Sequence, residues 1–209
     1  MTTPSEPRSV RISEDERGGW SSDRPRKGPP REQDVSVRGR VLKPTDLLRY
    51  SPGSLLMIVS PSVPIRERFA QRLIEQKSAL VSLQKVRDLI AGRVPEDVMD
   101  EKAVELMDAA VNKRLEAGET VVITAGVHPD ERERHVKVAA RLRRPRHLIL
   151  LEAPRDEVAE DDRAPLNDLR RRLDAGELGA DGFHSALLLG GEAPAELKRL
   201  VFRPEPRDE

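Results

Sequence analysis

Residues 54–68 have the layout of a loop that binds phosphate groups. They read Ser54-Leu-Leu-Met-Ile-Val-Ser-Pro-Ser-Val-Pro-Ile-Arg-Glu-Arg68, in which an apolar run of strand length leads into a short Ser/Pro segment. Ile65, Phe69 and Leu73 then recur with the spacing of a helix that packs on a sheet. A strand, a tight loop and a helix form the setting in which the motif G-x-x-x-x-G-K-[ST] surrounds phosphates with backbone N–H groups.

The residues that give this motif its chemistry are replaced. Aligned on residues 60–67, the motif has Ser60 and Ile65 at its two glycines, Arg66 at its lysine and Glu67 at its hydroxyl. Ile65 is β-branched and resists the positive φ that glycine allows, and Glu67 places a negative charge where a phosphate would sit. We therefore take Ser60, Ser62, Arg66 and Glu67 as the nucleotide-side positions, and we expect ordinary phosphoryl transfer from ATP to be lost.

Apolar runs and helical stripes alternate along the rest of the chain. Strands are predicted at residues 54–59, 79–83, 120–125, 147–151 and 185–189, and helices at 65–76, 85–91, 97–117, 130–144, 166–173 and 194–200. Asp97 is the expected N-cap of the longest helix, and residues 42–50 are expected to form a short helix or turn. This alternation predicts an α/β fold, a three-layer sandwich around a mostly parallel five-stranded sheet. A site would lie at the carboxyl ends of the strands.

Two parts of the chain differ in composition. Residues 1–40 are charged and rich in proline, with no apolar period, and are predicted to be a disordered arm before a folded domain at residues 41–209. The basic run at residues 24–31 could bind nucleic acid or an acidic protein partner, or serve only as a solvated linker.

The overall composition excludes several classes of function. Cysteine is absent and the four histidines lack ligand spacing, so we expect no metal site. The 37 basic and 37 acidic residues cancel, and aromatic residues make up only 2% of the chain, which argues against a stacking platform for single strands. No run is long and apolar enough for a membrane span and no signal-peptide core is visible, so we expect a cytoplasmic protein.

Three further motifs follow the loop. Residues 82–87 read Ser-Leu-Gln-Lys-Val-Arg, residues 117–126 read Ala-Gly-Glu-Thr-Val-Val-Ile-Thr-Ala-Gly, and residues 181–183 read Asp-Gly-Phe. In order and spacing they resemble the P-loop kinases of the polynucleotide-kinase type, including the kinase module of bacterial RNA-repair enzymes, or the AAA-family P-loop ATPases. The resemblance covers about residues 55–204. It implies a P-loop kinase-like fold with a degenerate, pseudo-kinase-like nucleotide site.

The resemblance also assigns individual positions. Its motif S-x-D-x-x-R carries the general base at the aspartate, where this chain has Gln84, whose amide cannot accept a proton at neutral pH. The aspartate of A-G-x-x-V-V-x-D-A-T serves the magnesium site, and Thr124 stands there. Arg87 and Arg132 match substrate-side arginines, and Arg163 matches the lid that clamps ATP phosphates. No catalytic and no metal-binding residue is therefore expected.

Three hypotheses remain open at this point. The first is a binding or assembly module without phosphotransfer activity. The second is a divergent ATP-dependent kinase that acts on a 5′-hydroxyl nucleic-acid end or a small alcohol, with ATP and Mg²⁺ as cofactors. The third is a nucleic-acid-binding protein without chemistry, which would use the arginines at positions 141, 143, 144, 146 and 170–172.

Overall fold

The computed structural model describes residues 40–41 and 46–203, with only the backbone for residues 40 and 41. The predicted arm therefore lies outside the described residues except for Arg40. The strands are β1 Arg40–Val41, β2 Leu47–Tyr50, β3 Leu55–Val59, β4 Leu80–Val81, β5 Val121–Ala125, β6 Arg146–Leu151, β7 Ser185–Leu189 and β8 Arg199–Phe202. The helices are α1 Val63–Leu73, α2 Leu83–Ile90, α3 Met99–Glu116, α4 Pro129–Arg141, α5 Glu160–Asp174 and α6 Ala193–Glu196.

The central sheet is parallel and confirms the predicted fold class. Its strands lie in the order β4-β5-β3-β6-β7, and β1 extends it by two residues beside β7. Every residue of β3 is buried, which explains why its sequence is a continuous apolar run and not an alternating one. The chain leaves β3 toward β4 on one side and later reaches β6 on the other, so the connections diverge at the carboxyl end of β3.

Helices and a small second sheet cover the two faces of the central sheet. Helices α3, α4 and α5 pack on one face through stripes that include Val111, Val136 and Leu169. Helix α1 and the pair β2–β8 pack on the other through residues such as Phe69 and Tyr50. The result is the predicted three-layer arrangement. No helix in the described part of the chain is long and apolar enough to cross a membrane.

Three local predictions are wrong. Residues 47–50 form strand β2, and the helix expected at 194–200 stops at Glu196 because β8 begins at Arg199. Leu48 and Tyr50 alternate inward in β2, so the period is 2 and the segment pairs in parallel with β8. Asp97 is not an N-cap, since it lies inside the 3₁₀ turn Glu96–Val98 that precedes α3.

Candidate functional site

Five of the residues singled out in the sequence meet in one pocket at the carboxyl edge of the sheet. Arg66 and Glu67 come from the first turns of α1, Gln84 and Arg87 from α2, and Thr124 from the end of β5. They meet because β3, β4 and β5 are neighbours and parallel, so the segments that follow them emerge on the same edge. The pocket encloses about 50 Å³, room for a few water molecules.

The loop between β3 and α1 is closed by its own side chains. The Arg66 Nη1 donates a hydrogen bond of 2.6 Å to the carbonyl oxygen of Ser60, at the start of the loop. The backbone N–H of Ser62 donates to the Ser60 Oγ at 3.3 Å, and both serines are buried. Burial lowers the pKa of Arg66, while Glu131, Glu67 and Asp162 oppose that shift. The guanidinium that replaces the motif's lysine is therefore turned inward onto the loop backbone.

Glu67 and Thr124 are bonded to each other. The Thr124 hydroxyl donates to the Glu67 Oε1 at 2.6 Å, and Thr124 is only 5% exposed. The other carboxylate oxygen of Glu67 is shielded from solvent and has no hydrogen-bond partner. In the kinases that the chain resembles, these two positions would serve a magnesium ion, whereas here the two side chains are bonded to each other.

The remaining cations of the pocket are neutralised by nearby carboxylates. Arg87 forms an ion pair of 2.8 Å with Asp100 on α3, and Arg134 lies 3.2 Å from Asp108. Gln84 donates from its side-chain nitrogen to an exposed aspartate of its own helix, at 2.9 Å. Each guanidinium that lines the pocket therefore already contacts a carboxylate or a backbone carbonyl of a described residue.

Sequence reasoning missed three lining residues on α4. Glu131, Arg134 and His135 lie at positions i, i+3 and i+4, so the helical period was the signal that could have grouped them. Glu131 accepts a 2.7 Å hydrogen bond from the N–H of Gly126, and a Cβ at Gly126 would lie 2.5 Å from the same carboxylate. Burial, with a smaller effect of Arg134, lowers the pKa of His135 to about 4, so this histidine is neutral at pH 7.

Four predicted residues do not line the pocket: Ser60 and Ser62 lie in the loop between β3 and α1, and Arg132 and Arg163 lie on α4 and α5. Arg132 is 6% exposed and donates to the carbonyl oxygen of Val127. It faces a separate small cavity together with Arg172 and Asp181, which form an ion pair of 2.5 Å. Arg163 is exposed on α5 and makes no hydrogen bond or ion pair with the other described residues.

A covering segment, residues 155–162, is fastened to the loops of the carboxyl edge. The Ser62 hydroxyl donates to the Glu157 Oε2 at 2.9 Å. His128, which precedes α4, lies 3.1 Å from Asp162 in the first turn of α5. Any ligand approaching Arg66 from this side would have to displace these contacts.

Most arginines of the nucleic-acid hypothesis are engaged within the protein. Arg144 donates to the carbonyl oxygen of Leu115 and thereby caps α3 at 3.1 Å, while Arg146 donates to the carbonyl oxygen of Gly182 at 2.5 Å. The arginines at positions 170–172 each pair with a carboxylate. Arg141 and Arg143 are the exposed members of the set with no such bond among the described residues.

ATP with Mg²⁺ does not fit these residues. Pockets for ligands of drug size enclose roughly 300–1,000 Å³, several times the space available here. The Ser60 carbonyl, the Glu67 carboxylate and the Thr124 hydroxyl, at positions that the resemblance assigns to the nucleotide and metal, are already hydrogen-bonded within the protein. Among residues 40–41 and 46–203, no group of three or more His, Asp or Glu side chains is placed to hold a metal ion.

The fold and site together define an α/β protein with a mostly parallel sheet, compatible with a P-loop-like fold. Comparison of the sequence with protein-family models and with curated proteins gave no match.

Proposed function

We propose that this protein is a degenerate, P-loop kinase-like domain that binds or assembles with a partner and does not transfer phosphate. The observation that carries the proposal is the hydrogen bond from Arg66 to the Ser60 carbonyl. A phosphate-binding loop needs its backbone dipoles and its cation directed at the ligand. In this loop the cation is directed at the backbone, and its removal from that position would leave a buried carbonyl oxygen without a donor, at a cost of about 1–3 kcal/mol.

Charge supports the same conclusion. Glu67, Glu131 and Asp162 all act on the single guanidinium of Arg66, and the other two arginines of the pocket are already paired. A nucleotide triphosphate would therefore enter a site with an excess of carboxylates. Like charges close together in a partly buried site repel strongly, because the local dielectric constant is low.

A divergent ATP-dependent kinase is the second candidate, with a 5′-hydroxyl nucleic-acid end or a small alcohol as substrate. It is favoured by one observation: Arg66, Glu67, Gln84, Arg87 and Thr124 still line one pocket at the carboxyl edge. Activity on this reading would require the loop to open and the Arg66 side chain to swing outward.

Calorimetric titration of the full chain with ATP and Mg²⁺ separates the two. We expect no binding heat at millimolar nucleotide, which means a binding free energy weaker than about −4 kcal/mol. A parallel assay should detect no transfer of the terminal phosphate of ATP to a 5′-hydroxyl oligonucleotide, with an active polynucleotide kinase as positive control. Micromolar binding that Arg66→Ala abolishes, or any Mg²⁺-dependent transfer, would overturn the proposal in favour of the kinase.

A further inference from the structure

A second concave surface lies on the other side of α1, between this helix and α6. It encloses about 420 Å³ and is lined by Ile65, Arg68, Phe69, Arg72, Pro194 and Ala195. None of these residues lines the pocket that contains Arg66 and Glu67. Helix α1 therefore presents one side to the pocket of Arg66 and Glu67 and the opposite side to this surface, which we call the α1–α6 groove.

Contacts within the protein hold the α1–α6 groove in shape. Its four residues from α1 lie at i, i+3, i+4 and i+7, which places them on one face of the helix. The Phe69 side chain is buried and forms part of the core beneath the groove. Arg72 donates to the carbonyl oxygens of Leu197 and Pro194, so its guanidinium fastens the single turn of α6 against α1.

The lining combines apolar surface with positive charge. Four of the six lining residues are apolar, and the two charged ones are both arginines. The Arg72 guanidinium donates its hydrogen bonds to backbone carbonyls. Arg68 is exposed and has no hydrogen bond or ion pair with the other residues that the structure describes. The complementary ligand has an apolar group beside a negative charge.

The length of the groove indicates the form of that ligand. From residue 65 to residue 72, α1 rises by about 10 Å, which is the span of about three residues of an extended peptide. We propose that the α1–α6 groove docks a short segment of a partner protein in which an apolar side chain lies next to a carboxylate. This inference rests on the proposed function, because it names the surface through which a domain without phosphotransfer activity binds its partner.

The test uses two probe peptides and the full chain. Acetyl-Glu-Leu-Asp-Phe-Glu-amide is the acidic probe, and acetyl-Lys-Leu-Lys-Phe-Lys-amide keeps its apolar residues with the charge reversed. Fluorescence anisotropy should show binding of the acidic probe at least tenfold tighter than that of the basic one, and the affinity should weaken as salt rises from 50 to 500 mM. Arg68→Glu should weaken the acidic probe about tenfold, and Ala195→Glu should weaken it as well by filling the groove.

Arg141→Glu is the matched control, because it makes the same change at an exposed arginine of α4. The Arg141→Glu variant should bind the acidic probe with the same affinity as the unmodified chain. Equal binding of the two probes, no binding at millimolar peptide, an unchanged affinity in Arg68→Glu, or displacement of the probe by adenosine would each overturn the docking proposal. Titration with ATP and Mg²⁺ is a separate measurement. If neither the peptides nor ATP bind, the docking proposal is refuted and the proposed function stands.

Discussion

Replacement of Thr124 by valine tests whether the contact between Thr124 and Glu67 stabilises the pocket at the carboxyl edge. Thr124→Val keeps the shape of the side chain and removes the hydroxyl that donates to the Glu67 Oε1 at 2.6 Å. The second oxygen of that carboxylate is already buried without a partner. The variant would therefore leave a shielded carboxylate without any hydrogen bond to Thr124 or another described group.

The magnitude follows from the kind of bond that is lost. A hydrogen bond to a charged group contributes about 1.5–3 kcal/mol, and an orphaned buried charge costs at least as much. We expect the free energy of unfolding in urea to fall by about 2 kcal/mol, which for a domain of this size lowers the melting temperature by roughly 4–8 °C. Thr120→Val is the matched control, because the Thr120 Oγ1 accepts only from the neutral N–H of Gly53, at 2.9 Å. Its loss should be about half as large.

A double-mutant cycle with Glu67→Met sharpens the result. If the pair acts as a unit, the double variant should lose clearly less stability than the sum of the two single variants, because no orphaned group remains. The reasoning is refuted if Thr124→Val changes stability by less than about 0.5 kcal/mol, or if the two substitutions simply add.

Three further perturbations probe other contacts. Burial lowers the pKa of His135 to about 4 from 6.5, so the folded protein disfavours protonation of this ring. The contribution of the neutral ring to the free energy of unfolding is complete above pH 6.5 and is lost as the pH falls toward 4. For this nearly inaccessible side chain the loss amounts to about 3 kcal/mol. Urea unfolding at pH 7.5 and 4.5 should therefore show a smaller loss of stability on acidification for His135→Gln than for the unmodified chain. Burial also lowers the pKa of His147 to about 4, but replacing His147 should have a smaller effect because its side chain is only half-buried. Gly190→Ala would place a Cβ 1.9 Å from the Glu152 carboxylate, which is the end of a flexible side chain paired with Arg170. Moving it should cost about 0.2–1 kcal/mol in the same assay, and a loss above about 2 kcal/mol would mean that the carboxylate is held in place. Arg66→Ala should lower the free energy of unfolding by about 1–3 kcal/mol, and an unchanged melting curve would show that the loop carbonyl finds another donor.

The sequence predicted five of the six strands of the central sheet, because most of these strands carry a strong local signal. A fully buried parallel strand such as β3 appears as an uninterrupted apolar run between turn residues, and β5, β6 and β7 share that pattern. The pair β2–β8 was missed for the opposite reason. Each of its strands has four residues, and such a short alternation fits a helix turn as well as a strand. Only the pairing with a partner about 150 residues away distinguishes the two.

The candidate site shows the same division between local and long-range information. The order of strand, loop and helix is local, and from it the sequence predicted that Arg66 and Thr124 lie near the carboxyl edge. The direction of a long side chain is not local, because it depends on which acceptors the fold brings within reach. Arg132 illustrates this: its position in the first turn of α4 fits a substrate-facing arginine, yet it is buried against Val127 and turned toward another cavity.

The side chains at the carboxyl edge of the sheet are coupled through hydrogen bonds. Arg66 donates to the Ser60 carbonyl oxygen, Thr124 donates to Glu67, and Glu131 accepts from the N–H of Gly126, so each of these side chains has a partner at the same edge. Changing one of these positions alone would therefore disturb its partner. An aspartate in place of Thr124, for example, would face the Glu67 carboxylate at hydrogen-bond distance, and two like charges so close together in a partly buried site repel. Under the proposed function, phosphate binding at this loop would need several simultaneous changes, and this coupling agrees with a fold that serves binding and not catalysis.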